Sequence, residues 1–198
     1  MSNTGTLNKT LWQGTTTIAG GETILTLDSD FHRQLADLGV EVNTVGKAML
    51  SDETDSLRLP ITRGEITDES IIDWMGMAEV EHNGSGLGLT RNGMTVELDN
   101  WSLNTGTGNI HASPLIRKMG NPPQLMTDMS VFALAASADL SPAIELDADS
   151  DEETILLDEA DIILTAEGAR TLNDLLALNH ALREGMMVGT ATVRISTG

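Results

Sequence analysis

Hydrophobic and polar positions alternate strictly through two neighbouring runs in the middle of the chain. Leu87 and Leu89 are separated by small or polar residues, and so are Met94, Val96 and Leu98. A period of two puts one set of side chains on one face of a sheet. Between the runs stands Asn92-Gly93, a pair that accepts the positive φ angles of a tight hairpin turn. After Leu98 the apolar phase slips by one residue, to Trp101 and Leu103. Such a slip turns a strand inside out unless a bulge absorbs it, and Asp99-Asn100 is the expected bulge. The stretch Glu79 to Ala112 thus predicts a central hairpin around which the rest of the chain is built.

Weaker patterns flank it. Thr10 to Ile18 and Glu22 to Leu27 read as two strands turned at Gly20-Gly21. Asp28 is placed to cap a short helix whose Phe31, Leu35 and Leu38 share one face and which Gly39 ends. Val40 to Val45, Lys47 to Leu50 and Leu57 to Ile61 read as strands, with Pro60 at an edge or strand end. Ile71 to Met77 is an apolar lead-in with Trp74, and Thr105 to Gly108 is a turn. Val131 to Ala138 fits a buried strand or a short helix, which periodicity does not separate. Thr154 to Leu157 and Asp161 to Leu164 are short strands. Thr165 caps a longer helix over Ala166 to Arg183, with Leu172, Leu175, Leu176 and Leu182 as its core stripe. Met187 to Ile195 closes the chain as a strand. The fold class is mainly β, a β-sandwich or flattened barrel with one short and one longer α-helix. Residues 1–198 form a single β-rich domain. A strand–capped helix–strand echo, Ile24-Leu25-Thr26 to Val45-Gly46-Lys47-Ala48 against Ile163-Leu164-Thr165 to Val188-Gly189-Thr190-Ala191, suggests two pseudo-symmetric halves, about 10–113 and 114–198. The alternative is generic β–α–β phrasing.

Composition narrows the function. Hydrophobic residues make up 40% of the chain but aromatics only 3%, with no Tyr, so the core is aliphatic and Met-rich. The net charge of −19 argues against nucleic acid and against anionic membrane surfaces. The absence of Cys removes thiol catalysis and Cys-bound metals. The longest apolar run, Val131 to Ala136, is too short to span a bilayer, so no membrane insertion is expected. Met1 to Lys9 lacks the layout of a signal peptide.

Several short segments carry a family resemblance. They are Leu59-Pro60-Ile61-Thr62-Arg63-Gly64, His82 to Leu89, Leu98-Asp99-Asn100-Trp101, Leu164-Thr165 with Leu172-Asn173, and Val188-Gly189-Thr190-Ala191. Together they resemble poorly characterised secreted bacterial β-rich proteins of the sorting-tail type. More loosely, they are similar to the haem-transport-associated surface domain of actinobacteria. The resemblance covers about Ile24 to Ala112 and Asp161 to Val193. It implies an exported β-rich module, extracellular or on the cell surface. The haem-binding relatives rely on Tyr, and this chain has none.

Candidate chemistry is sparse. Asp147, Asp149, Asp151, Glu153 and Asp158 resemble the opening of a Ca²⁺ loop, where alternate carboxylates converge on a hard cation. Glu152 stands where such a loop needs Gly, and a solvated acidic loop is the commoner reading. Of the four histidines, His82 and His111 are the ligand-binding candidates, because they could approach across neighbouring strands. The structural alternative for His82 is a hydrogen bond that stabilises its turn. Gly84-Ser85-Gly86-Leu87-Gly88 opens no helix and so lacks the dipole and amides of a phosphate loop. Glu79 and Glu81 share a strand face and could pair as glycosidase carboxylates, with only Trp74 and Trp101 to mark a sugar cleft; on a strand of so acidic a chain, paired carboxylates are usually just surface.

With no convergent catalytic set, the expected function is non-catalytic. The first expectation is a structural or interaction protein of a cell surface, filament or particle coat. It would be a homo-oligomer or polymer assembling through edge strands at Thr10 to Ile18 or Met187 to Ile195. The alternative is a surface module for a small, haem-type ligand, and a carbohydrate-active enzyme comes third. Apart from Ca²⁺ no cofactor is expected.

Overall fold

The structure, a computed structural model, describes residues 15–51, 56–67, 78–135, 143–146 and 153–197. The elements in chain order begin with strand β1 (Thr15–Leu27), helix α1 (Ser29–Asp37), β2 (Glu41–Gly46), β3 (Met49–Ser51), β4 (Ser56–Pro60) and β5 (Arg63–Thr67). The central hairpin is β6 (Ala78–Arg91) and β7 (Met94–Asn104), followed by β8 (Asn109–Lys118), β9 (Gln124–Leu125), β10 (Met129–Leu134) and β11 (Ala143–Leu146). The chain ends with β12 (Glu153–Leu164), α2 (Ala166–Leu176) and β13 (Met187–Thr197). All pairings are antiparallel within one sheet.

The sheet closes on itself. Neighbours run β12-β10-β8-β7-β6-β5-β1, and β13 then pairs with both β1 and β12. Closure removes free edges in this ring. The mainly-β expectation of a flattened barrel with two helices is met. Met187 to Ile195, however, offers no free edge in this geometry, contrary to the assembly edge expected there. That segment is paired on both sides, to Leu27–Gly21 on one strand and to Ile155–Ile163 on the other. Ile18 is likewise paired to Thr197, and residues 10–14 lie outside the described residues. The interior of the ring holds Leu25, Val80, Trp101, Leu103, Ile110, Phe132, Ile162, Ala191 and Val193, all buried. Trp101 and Phe132 pack with ring centroids 5.2 Å apart. A cavity of about 20 Å³ remains inside, room for no more than a water molecule.

The predicted hairpin forms as expected, with Asn92 and Gly93 at φ 50° and 76°. The predicted bulge is present too. Asp99 faces Ser113 and Ser102 faces His111, so Asn100 and Trp101 together oppose Ala112. Asn100 takes φ 54°. On the other side the partner strand bulges further, three residues, Asn83 to Ser85, standing between the pairs His82↔Trp101 and Gly86↔Asp99. The bulge is tied down from three directions. The Gly84 amide donates to Asn100 Oδ1 (2.9 Å) and the Asn83 amide to Thr62 Oγ1 (2.9 Å). The Lys47 amide donates to the Gly84 carbonyl (2.9 Å).

Three boundaries differ from the sequence reading. Gly20-Gly21 does not turn the chain; β1 runs through it with a bulge. Gly21 at φ 135° is there because a Cβ would lie 2.1 Å from the Arg194 carbonyl oxygen. The two strands expected over Thr154 to Leu164 are one strand with a register break between Leu157 and Ala160. Helix α2 stops at Leu176 rather than near Arg183. Ala177, Asn179 and His180 adopt left-handed φ, and the buried Asn173 carboxamide holds the segment back, donating to the Leu182 carbonyl (2.8 Å) and accepting from its amide (3.1 Å). Leu182 still reaches the core, through a loop. The segment from Val131 is a strand as far as Leu134.

Candidate functional site

The two candidate histidines do not converge. His82 pairs with Trp101 and points into the barrel, whereas His111 pairs with Ser102, whose side chain lies on the opposite face. A one-residue offset in register separates them by the full thickness of the sheet. His111 is partly exposed, and its Nδ1 lies 3.0 Å from Asp128 Oδ2.

His82 is buried, and its Nε2 shares a 2.7 Å hydrogen bond with Thr23 Oγ1 on β1. Its Nδ1 has no hydrogen-bond partner among the described residues. Burial lowers its pKa from 6.5 to about 4, opposed in part by the Trp101 backbone. The native state therefore binds fewer protons than the unfolded chain between these values. Stability held above pH 6.5 is expected to drain away as pH falls to about 4, by roughly 3 kcal/mol in all. An NMR titration would check this: the folded imidazole should stay neutral through pH 5. A His82 that titrates near 6.5 in the folded protein would contradict it.

The remaining sequence candidates stay apart as well. Asp147, Asp149 and Asp151 fall outside the described residues, as do the side chains of Glu153 and Asp158. Among the described residues no group of three or more His, Asp or Glu side chains could hold a metal ion, so calcium gains no support. Glu79 and Glu81 share a face of β6, but Trp101 is buried on the other, so it cannot floor a sugar cleft with them. Trp74 lies outside the described residues. Among the described residues no helix is long and apolar enough to cross a membrane.

The feature that sequence reading missed lies beneath α1. Asp28 caps the helix, its carboxylate accepting from the amides of Asp30 (3.0 Å) and Phe31 (2.9 Å). Phe31 and Leu35 anchor it to the core, which turns His32 away from the core. The helix sits where the sheet forks: β2 leaves along the far half of β6, while β4 and β3 leave along β1. Between the two branches is a cleft of about 50 Å³. Buried Leu57 and Leu87 form its floor, Leu27, Val42, Asn43 and Thr44 its walls, and exposed Leu50 and His32 its mouth. Leu50 and its neighbour Met49 are each more than half exposed. Local sequence carried only one signal for this site, an apolar Met49-Leu50 pair followed closely by the acidic Asp52-Glu53. The fork that brings it to His32 is tertiary.

No family model matches the chain, and no curated protein matches it in sequence. Solved structures do match in shape. The C-terminal domain of HtaA from Corynebacterium glutamicum superposes with a TM-score of 0.61 at 13% identity, over 92% of this chain and 99% of that one. The fold is that of the HtaA domains. The N-terminal domain of HtaA matches with a TM-score of 0.50 at 9% identity, over 91% and 98% of the two chains. A histidine-to-alanine variant of the C-terminal domain, a domain-swapped dimer, matches with a TM-score of 0.51 at 13% identity, over 86% and 92%. The resemblance seen in the short motifs, to haem-transport-associated domains, is therefore met at the level of the fold.

Proposed function

We propose that this chain is a non-catalytic surface module that binds a flat apolar ligand of the haem type in the cleft under α1. The observation that carries this reading is an apolar cleft with a single imidazole at its mouth, set into an HtaA-type fold. An imidazole is an ordinary axial ligand for haem iron. His32 is the histidine with the access to serve: it is exposed, beside Leu27, Val42 and Leu50. His82 is committed to Thr23 inside the barrel, and the 20 Å³ cavity there admits no porphyrin. At about 50 Å³ the cleft seats one edge of a planar ligand and leaves the rest outside. Such a seat suits a carrier that passes its cargo on. The reading places the protein outside the cell or on its surface.

Titration with haemin tests it. A saturable Soret band is expected, and His32→Ala should weaken binding at least about tenfold while His111→Ala leaves it unchanged. No saturable band, or equal binding by the His32 variant, sinks the proposal.

A further inference from the structure

A second cleft lies beside the turn of the central hairpin, on the face of β7 and β8 that carries Met94 and Ile116. Its size is about 300 Å³, at the lower limit of small-molecule sites. Register explains its lining. Lys118 is the direct cross-strand partner of Met94, and Ile116 that of Val96, so Lys118, Met94 and Ile116 share one face. Leu175 of α2 closes the far wall, and Asn121 and Gln124 stand at the rim. The rim is preformed: the Asn121 amide donates to the Lys118 carbonyl (3.0 Å) and the Met126 amide to the Pro114 carbonyl (2.8 Å).

The charge of this cleft runs against that of the whole chain. Acidic residues outnumber basic ones 30 to 11, yet among the described residues no carboxylate lines it. The adjacent Arg117 is taken up by Glu97 (2.6 Å) on the opposite face of the strand. Lys118 makes no ion pair among the described residues. An ammonium and two carboxamides at the rim of an apolar floor fit an anionic head on a short aliphatic body. The geometry points to a second binding site here, for an aliphatic carboxylate, with the carboxylate on Lys118 and the tail over Met94, Ile116 and Leu175.

Calorimetry with sodium octanoate, together with methyl NMR, tests this. Octanoate should bind saturably and shift the methyl signals of Met94, Ile116 and Leu175. Lys118→Gln should weaken it by about tenfold. Octan-1-ol, which keeps the tail but not the charge, should bind both proteins equally weakly, and acetate should not bind measurably. Lys118 is exposed, so the variant should unfold at the wild-type midpoint. The site is refuted by non-saturable heats, by equal octanoate affinity in the variant, or by shifts at the His32 cleft instead.

Discussion

Gly86→Ala should be among the most damaging single changes in the barrel, costing roughly 4 kcal/mol or more of folding stability. A Cβ at Gly86 would lie 1.9 Å from the Leu98 carbonyl oxygen and 3.0 Å from Asp99 Cα. Both are backbone atoms of the paired strand, so no rotamer change can relieve the contact. The strand would have to move at the point where Gly86 re-enters register opposite Asp99 after the three-residue bulge. Domains typically hold only about 5–15 kcal/mol in total, so the variant should be close to unfolding. Gly88, two residues along the same strand, is the control. There a Cβ would first meet Val45 Cγ2 at 3.4 Å, a mobile side-chain atom. Gly88→Ala should cost less than about 1 kcal/mol. Urea midpoints for the two variants check the contrast; a Gly86→Ala protein as stable as Gly88→Ala would contradict the pairing of β6 with β7 described above.

Removing the Arg91 guanidinium should be nearly as costly, because this one side chain ties both helices to the hairpin. Its Nε donates to the Leu38 carbonyl (2.8 Å) at the end of α1. Its Nη1 donates to the carbonyls of Leu176 (2.7 Å) and Ala177 (2.6 Å) at the end of α2. These carbonyls have no partner within their helices, and they form the negative ends of the helix dipoles. Arg91→Met should cost about 2–3 kcal/mol, less than three charged hydrogen bonds at roughly 1.5–3 kcal/mol each would sum to, because the group is only part-buried and water screens it. Arg91→Lys should recover little, since an ammonium cannot reproduce the planar fork across both termini. Hydrogen exchange at Leu38 and Ala177 should rise sharply in both variants. As α1 carries His32, haemin affinity should fall alongside. Exchange at wild-type rates would refute the role.

The central hairpin, its Asn-Gly turn and its bulge were all legible in the sequence. Each depends on neighbours in the chain: alternation sets the face, the turn pair supplies positive φ, and a phase slip demands a bulge. Both helix starts were legible for the same reason, through Asp28 and Thr165. The end of α2 was not. Leu182 continues the helical spacing, but Asn173 folds the chain back onto it through two hydrogen bonds that no local pattern announces. Gly20-Gly21 looked like a turn because two glycines are the usual mark of one. Gly21 is there instead to let β13 approach.

The histidines show where sequence reasoning stops. Alternation places His82 and His111 in strands, but which face each takes depends on register across β7, which the bulge shifts. His32 offered no pattern at all, being one exposed polar residue on a short helix. By itself the sequence determined the local elements, the aliphatic composition of the core and the acidic surface, since each of these is settled by near neighbours or by simple counts. Only the tertiary structure decided that β13 closes the ring, that His82 is sealed inside it, and that the sheet forks beneath α1 to leave a cleft. Those outcomes join residues far apart in the chain, and long-range pairing is chosen by the fit of the whole fold.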